Sequence, residues 1–410
     1  MSADVAFVGN RLPEWPDRGL DVGALKADGW RPVPFNQFIL KIHSRCNLAC
    51  DYCYMYELAD QSWQGRPAVM SRDIIRAAVT RIAEYASRHR LPEVQVTLHG
   101  GEPLLAGADL IDFLAREMRS AIGPGVELRL VVHTNGIKLS TRILDVLLSH
   151  NIRVGVSLDG DGEANDLHRR RRNGRGSYDE VVRGIRRLTT DPYRHLFGGL
   201  LAVVDLNNDP VAAYESLAQF SPPAIDFLLP HGTWAAPPPG KDEDITNTRY
   251  ADWLIDGFDY WYSLGRTRIP VRLFRSAIRL LLGKTGLSEQ IGLDPVSFLV
   301  IETDGYIEQV DSLKAAFAGA PETGFHIADH DLDKVAEHPG IVARQIGTSG
   351  LSETCQDCRI RDTCGGGMYT QRYRPGSGFL NPSVYCSDLM KFIDHVSAIV
   401  QYDLSRIRRA

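Results

Sequence analysis

Several kinds of protein are excluded by what this 410-residue chain lacks. It has no apolar run close to the roughly 18 residues that a membrane-spanning helix requires. Its N-terminal stretch contains Asp4 and lacks the basic start and apolar core of a secretory signal peptide. Its formal net charge of −5 gives no general reason to expect a nucleic-acid or membrane partner. We therefore expect a cytoplasmic protein that binds neither nucleic acid nor membrane.

The chain is also poor in cysteine, and its seven cysteines fall into two groups. An odd number does not suit a framework of paired disulfides and favours a reducing compartment. The first group has the spacing C-x3-C-x2-C, and the second has the spacing C-x2-C-x5-C followed by a distant fourth cysteine. The first group is Cys46, Cys50 and Cys53, and the second is Cys355, Cys358, Cys364 and Cys386.

These two groups have the numbers of thiolates that two iron–sulfur clusters would need. Three thiolates can hold three corners of a [4Fe–4S] cube and leave one iron open, whereas four thiolates complete the ligation of a second cube. An open and a closed cluster together indicate an enzyme with a substrate-binding iron and an electron relay. Zinc is the alternative for both groups, with His43 as a further ligand of the first. A separate alternative is an iron–sulfur or zinc binding module without enzymatic activity.

Hydrophobic patterning predicts an α/β fold with a partial (β/α)6 TIM-like barrel. Strand-like runs without strict alternation, typical of parallel strands covered on both faces, alternate with helix-like runs. The predicted strands are 38–43, 94–99, 128–133, 154–158, 200–204 and 226–229, and the predicted helices are 71–87, 110–121, 141–149, 178–188 and 209–218. Further helices are predicted at 248–264 and 273–282, short strands at 298–302 and 306–309, and a closing helix near 387–400.

Proline-rich punctuation at Pro237-Pro238-Pro239-Gly240 marks a plausible domain boundary. We predict an N-terminal extension at residues 1–36, the barrel at 37–240, a helical linker at 241–290 and a small α+β domain at 291–410. Active sites of such barrels lie at the C-terminal ends of the strands. Three polar sequences follow predicted strands there: His99-Gly100-Gly101-Glu102-Pro103, His133-Thr134-Asn135-Gly136 and Ser157-Leu158-Asp159-Gly160.

The cysteine loop after the first strand, with Tyr52 before its third cysteine, resembles the signature of the radical SAM superfamily. In that superfamily the open iron binds S-adenosylmethionine, and reductive cleavage releases a 5′-deoxyadenosyl radical. The Gly-Gly-Glu-Pro sequence resembles the motif for the methionine amino group, since glycines allow close approach and a carboxylate suits an ammonium. The resemblance implies cofactor contacts at Tyr52, Gly100, Gly101, Glu102, Pro103, Asn135, Ser157 and Arg169. We expect the other arginines of the run 169–172 on a solvated helix face.

The second cysteine group resembles the C-terminal SPASM extension of radical SAM peptide-modifying enzymes. The full pattern would hold two auxiliary clusters, but this chain has Met368 and Val310 at two of the expected cysteine positions. Both losses fall on one auxiliary cluster. The resemblance therefore implies one auxiliary [4Fe–4S] cluster, ligated by Cys355, Cys358, Cys364 and Cys386, with a role in electron transfer or structure.

Longer strings narrow the resemblance to SPASM maturases of FxSxS-type ribosomal peptides. These strings include Leu228-Leu229-Pro230-His231, Asp311-Ser312-Leu313-Lys314 and Asn381-Pro382-Ser383-Val384-Tyr385-Cys386. Such enzymes join an aromatic side chain to the β carbon of a residue two positions later, which forms a three-residue cyclophane. The resemblance implies a ribosomal precursor peptide as substrate and an external electron donor such as flavodoxin or ferredoxin. Asp311 is the candidate catalytic base, with a turn-capping surface aspartate as the other interpretation. A thioether, an epimerised residue or an oxidised residue are alternative products.

Overall fold

The computed structural model describes residues 14–241, 244 and 246–407. Six parallel strands form the larger part of its sheet. These strands lie side by side in chain order, which is what right-handed strand–helix repeats produce. They are β1 (Gln37–His43), β2 (Glu93–Gly100), β3 (Glu127–Thr134), β4 (Arg153–Ser157), β5 (Phe197–Val203) and β6 (Ile225–Leu228). The predicted α/β partial barrel is therefore confirmed.

The helices of the barrel begin where short polar side chains can cap them. Ser71 Oγ accepts a hydrogen bond from the amide of Ile74 at 3.2 Å, and Asp209 Oδ1 accepts one from the amide of Ala212 at 2.8 Å. The helices are α1 (Val22–Ala27), α2 (Arg72–Arg88), α3 (Ala108–Ala121), α4 (Thr141–Ser149), α5 (Gly162–His168), α6 (Tyr178–Leu188), α7 (Pro210–Ala218), α8 (Arg249–Ser263), α9 (Arg272–Leu281), α10 (Leu332–Val335), α11 (Pro339–Val342), α12 (Glu353–Gln356), α13 (Arg361–Cys364) and α14 (Cys386–Ile407). The sequence analysis missed α5 and the short helices, whereas the longer ones lie where they were predicted.

Three further strands extend the same sheet beyond β1. They are β7 (Phe298–Ile301), β8 (Tyr306–Glu308) and β9 (Glu322–His326). β7 pairs in parallel with β1, and β8 and β9 follow it as antiparallel strands. The turn between β7 and β8 lies at Asp304 and Gly305. β9 was not predicted, because the sequence Glu322–His326 contains a glycine and has no apolar alternation. In the structure this glycine, Gly324, has φ of +76°.

The C-terminal part of the chain packs tightly against the barrel. The aromatic helices α8 and α9 share a core with α14, where Phe258 and Phe274 contact Phe392 with ring centroids 6.1 and 6.0 Å apart. The N-terminal segment is also attached, since the backbone amide and carbonyl of Val33 form hydrogen bonds with the side chain of Gln345. The domain limits at residues 36, 240 and 290 stay predictions. Within the described ranges, no helix has both the length and the apolar character needed to cross a membrane.

Candidate active site

A cavity of about 700 Å³ lies at the C-terminal ends of the parallel strands. This volume is in the range of small-molecule and peptide-side-chain pockets. Its walls come from the first cysteine loop, the ends of β2 to β5, the segment 286–298 and the C-terminal region. Residues on it include Cys46, Cys50, Tyr52, Cys53, Gly100, Gly101, Asn135, Ser157, Arg169 and Asp311. The structure thus brings together most of the site residues that the sequence analysis selected.

Arg45 holds the cysteine loop in place beside the cavity. Its guanidinium donates hydrogen bonds to the carbonyls of Trp63 at 2.6 Å and Arg66 at 3.1 Å, and it stacks 5.0 Å from the centre of the Trp63 ring. The loop then turns tightly, since the amide of Cys53 donates to the carbonyl of Cys50 at 3.1 Å. These hydrogen bonds fix the backbone from which the three thiols project.

The first three thiols fit an iron–sulfur cluster better than a single zinc ion. No three cysteine sulfurs in the described part of the chain lie within 4.8 Å of one another, whereas tetrahedral zinc with bonds of about 2.3 Å would place them about 3.8 Å apart. Burial raises the pKa of the Cys46 thiol to about 11 and that of the Cys53 thiol to about 12. A cationic metal centre would offset this penalty on the thiolate form.

Gly100 and Gly101 let the second strand approach the cysteine loop closely. Gly100 has φ of +134°, and a Cβ built on it would lie 2.1 Å from the carbonyl oxygen of His43. A Cβ on Gly101 would lie 1.8 Å from the hydroxyl of Tyr56. The amide of Gly101 donates to the carbonyl of His43 at 2.9 Å. The glycine pair is therefore required for packing within the protein, in addition to any approach to a ligand.

Glu102 lies beneath the surface of the cavity, between the loops that follow β2 and β3. It is fully buried, and neither Glu102 nor Pro103 is among the residues that line the cavity. Its carboxylate accepts hydrogen bonds from the amides of Leu104 at 2.9 Å and Asn135 at 2.8 Å and from the hydroxyl of Thr134 at 2.7 Å. Through these bonds Glu102 joins the loops after β2 and β3, and its contact with the cofactor ammonium stays a prediction.

Tyr52, Asp159 and Arg169 form a buried chain beside the cysteine loop. The Tyr52 hydroxyl donates to the Asp159 carboxylate and accepts a hydrogen bond from Arg169 Nη1 at 2.9 Å. Asp159 Oδ1 also accepts from the amide of Val203 at 3.1 Å. Arg169 lines the cavity, and its Nε has no hydrogen-bond partner among the described residues. Its free donor suits a ligand carboxylate.

The remaining arginines of the run do not lie on a helix face, contrary to expectation. Helix α5 ends at His168, and the run continues as a loop. Arg170 and Arg172 are exposed, while Arg171 Nε donates to Glu180 at 2.9 Å. The prediction that they are solvent-facing and separate from the site is correct for Arg170 and Arg172.

Asp311 is buried on the cavity wall, beside two residues that the sequence analysis did not select as its partners. It forms an ion pair with Lys41 of β1, and its Oδ2 lies 3.6 Å from His99 Nδ1. The Lys41 ammonium is fully buried and also lies 2.7 Å from Glu302 Oε1 and 3.8 Å from Glu308 Oε2. Burial lowers the pKa of Lys41, but the three carboxylates outweigh it and raise the pKa well above its ordinary value. Lys41 therefore stays charged and holds Asp311 in place.

The signal for Lys41 was present in the sequence. A lysine stands between the apolar residues Leu40 and Ile42 of a strand covered on both faces, where a cation needs buried partners. The same buried cluster contains Lys314, which lies 3.0 Å from Glu308, and Arg66, which donates to Glu308 at 2.8 Å. Burial and repulsion by Glu302 raise the pKa of Glu308 to about 7.

The second cysteine group lines a smaller, separate cavity. All four thiols of this group reach it, and burial raises the pKa of Cys364 to about 12 and that of Cys386 to about 11. The set is Cys355, Cys358, Cys364 and Cys386. This donor set fits one completely ligated cluster. Val310 and Met368 instead line the large cavity.

Taken together, the fold and the three-cysteine loop define a partial-barrel protein whose reactive site opens at the C-terminal ends of its parallel strands. The family model described as radical SAM superfamily matches residues 40–203. A serine-type anaerobic sulfatase-maturating enzyme of Klebsiella pneumoniae is 31% identical over 386 residues, which cover 91% of this chain and 90% of that protein. A cysteine-type anaerobic sulfatase-maturating enzyme of Clostridium perfringens is 23% identical over 371 residues, covering 88% and 96%. The chain therefore belongs to the radical SAM superfamily and is a radical SAM enzyme.

Solved structures support the same fold. Native anSMEcpe with bound AdoMet has a TM-score of 0.74 at 21% identity, covering 89% of this chain and 98% of that one. Streptococcus suis SuiB bound to its precursor peptide SuiA has a TM-score of 0.57 at 15% identity, covering 89% and 78%. Membership of the superfamily implies S-adenosylmethionine and a [4Fe–4S] cluster, for which Cys46, Cys50 and Cys53 are the fitting ligands.

Proposed function

We propose that this enzyme modifies a ribosomally synthesised precursor peptide by joining an aromatic side chain to the β carbon of a nearby residue. The observation that carries the proposal is one cavity that is lined by both the cysteine loop and Asp311. Loss of two hydrogens in such a crosslink needs a radical source and a base. The cavity contains candidates for both within a space that fits peptide side chains.

The residues of the chain divide this chemistry between them. Cys46, Cys50 and Cys53 would hold the cluster, which together with S-adenosylmethionine would supply a radical able to take a hydrogen atom from the substrate. The new carbon–carbon bond leaves an extra hydrogen on the aromatic ring, and Asp311 accepts that hydrogen as a proton while one electron leaves. The ion pair with Lys41 holds the Asp311 carboxylate in place, and His99 Nδ1 lies 3.6 Å from its Oδ2.

The second cysteine group completes the proposal. Cys355, Cys358, Cys364 and Cys386 would hold an auxiliary [4Fe–4S] cluster, whose chemistry at this place is one-electron transfer. A flavodoxin or ferredoxin is the proposed external electron donor. Two relatives support a peptide substrate: SuiB was solved with the precursor peptide SuiA, and anSMEcpe was solved with the peptide Kp18Cys.

Oxidation of a serine or cysteine in a target protein is the second candidate function. The observation in its favour is the 31% identity to a serine-type anaerobic sulfatase-maturating enzyme over nearly the whole chain. The chemistry requires the same radical source and a base. The two candidates differ in the bond that forms after the hydrogen atom is removed.

Co-expression with a short peptide encoded beside this gene tests the proposal. A crosslink removes two hydrogens from the peptide and suppresses fragmentation between the joined residues in tandem mass spectrometry. Serine oxidation also removes two hydrogens, but its aldehyde reacts with an aminooxy reagent and leaves fragmentation intact. Uptake of one deuterium from heavy water would instead indicate epimerisation. An unchanged peptide mass contradicts the crosslinking proposal.

A further inference from the structure

The part of the cavity surface formed by Phe298, Arg344, Tyr369 and Arg372 is called the far wall below. It carries two buried polar groups that the proposed chemistry does not use. Arg344 lines the cavity with its side chain only 7% exposed, and its Nη1 has no hydrogen-bond partner within the described residues. Tyr369 also lines the cavity, and its hydroxyl is likewise buried and without a partner in that part of the chain. Buried donors without acceptors are rare and costly, which makes them candidates for contacts with a ligand.

Neighbouring groups hold the Arg344 guanidinium in position without saturating it. It stacks 5.3 Å from the centre of the Phe298 ring and 5.9 Å from that of Tyr369. Its Nη2 lies 3.3 Å from Glu289 Oε2. Burial lowers the pKa of Arg344, and Glu289 compensates only in part. An additional anion would stabilise this guanidinium.

Arg372 offers an instructive contrast on the same wall. Its guanidinium stacks 5.6 Å from the centre of the Tyr369 ring, but its nitrogens donate to the carbonyls of Gly365, Gly366 and Gly367 at 2.5, 3.2 and 2.8 Å. These bonds hold the backbone of the glycine turn 365–367. Arg344 differs in that its buried Nη1 has no hydrogen-bond partner within the described residues.

The surroundings of Arg344 and Tyr369 are apolar. Val310 and Ala343 pack in one cluster with Tyr369, and Phe298 borders it. Met368 lies next in the chain and also lines the cavity. In a mostly apolar pocket, a few polar groups fix the orientation of a ligand by hydrogen bonds. Val310 directly precedes Asp311, so Arg344 and Tyr369 line the same cavity as the proposed base.

We propose that Arg344 and Tyr369 form a subsite for a carboxylate carried by the peptide substrate. The subsite rests on the proposed peptide-modifying function and adds the chemical class that the far wall recognises. Arg344 Nη1 donates to one carboxylate oxygen, and the Tyr369 hydroxyl donates to the carboxylate as well. The carboxylate belongs either to an acidic side chain or to the C-terminus of the peptide. The contact fixes the peptide while its aromatic residue lies nearer the radical source.

Three synthetic pentapeptides test the subsite by equilibrium dialysis against the anaerobically reconstituted enzyme with S-adenosylmethionine. They are acetyl-Phe-Ala-Ser-Ala-Ser with a free C-terminus, the same peptide as its amide, and the amide acetyl-Phe-Ala-Ser-Ala-Glu. At least one acidic peptide should bind about 10-fold or more tightly than the neutral amide, since a bond to a buried charge is among the strong ones. The acidic peptide that binds better identifies the source of the carboxylate.

Variants assign the preference to the two residues. Arg344→Met should remove it, and Tyr369→Phe should reduce it while deleting only a hydroxyl that has no bond within the described protein. Arg116→Met is the matched control, because Arg116 is exposed and pairs with Asp112 away from the cavity. Iron content and circular dichroism check that each variant folds.

Equal binding of all three peptides, no binding of any of them, or a preference that survives Arg344→Met would overturn the subsite. Failure of the proposed function has a different signature. An enzyme that prefers acidic peptides through Arg344 but leaves a co-expressed precursor unmodified supports the subsite and contradicts the crosslinking chemistry.

Discussion

Replacing Asp311 with asparagine separates radical generation from the later loss of a proton. An asparagine side chain keeps the size of the aspartate but cannot accept the ring proton. A positioned general base typically contributes a factor of about 10²–10⁴, so formation of the modified peptide should fall by that order. Reductive cleavage of S-adenosylmethionine should fall much less, because Asp311 pairs with Lys41 and is not one of the thiol ligands of the first cysteine group.

The fold should tolerate this substitution. Lys41 keeps its 2.7 Å contact with Glu302 and its neighbour Glu308, so no buried cation is left without a partner. The loss of one charge-assisted contact costs about 2 kcal/mol. Asp304→Asn is the matched control, because Asp304 pairs with Arg66 at 2.9 Å in the neighbouring turn. It should change neither reaction.

The assay measures 5′-deoxyadenosine and modified peptide in the same anaerobic reaction by liquid chromatography and mass spectrometry. The expected result for Asp311→Asn is near-normal 5′-deoxyadenosine with little modified peptide. Equal losses of the two products would refute the role of Asp311 as the base. An unchanged yield of modified peptide would refute it as well.

Three other predictions concern the groups that support the site. Lys41→Met should lower the free energy of unfolding by about 3–5 kcal/mol because it leaves the buried carboxylate of Asp311 without its cation and removes one cation from Glu302, and chemical denaturation measures this; a loss below about 1 kcal/mol contradicts it. Ionisation of Glu308 is disfavoured in the folded state, where its pKa is about 7 rather than 4.5, so the unfolded state binds fewer protons between these values. Stability should therefore fall as pH rises from 4.5 to 7, by at most about 3 kcal/mol, and this fall should be absent from Glu308→Gln. Gly101→Ala should disrupt the cysteine loop and lower iron content, because the new Cβ would meet the Tyr56 hydroxyl at 1.8 Å; Gly125→Ala, which has open space around it, should retain its iron.

Local patterns in the sequence were sufficient for the barrel and for the position of the site. Strands that are apolar on both faces and helices with polar caps are encoded within short windows, and the ends of parallel strands must meet at one edge. For this reason the amino-acid sequence alone is enough to assign Cys46, Asn135 and Ser157 to one cavity. Their contacts with the cofactor stay predictions.

Other features depend on contacts between distant parts of the chain. Lys41 meets Glu302 across 261 positions of sequence, so its partners follow from the pairing of β1 with β7 rather than from local pattern. Glu102, in contrast, has a role that local sequence can indicate. Proline is common in the first turn of a helix, and Glu102 caps the short 3-10 helix Pro103–Ala106 that begins with such a proline.

The central claim is that Cys46, Cys50 and Cys53 hold an iron–sulfur cluster with one iron open to S-adenosylmethionine. Electron paramagnetic resonance of the reduced enzyme, recorded with and without S-adenosylmethionine, tests it most directly. The account predicts that addition of S-adenosylmethionine changes the spectrum, that Cys46→Ala abolishes this change, and that Cys364→Ala retains it. Zinc at the first cysteine group, or a spectrum that stays the same on addition, would contradict the account.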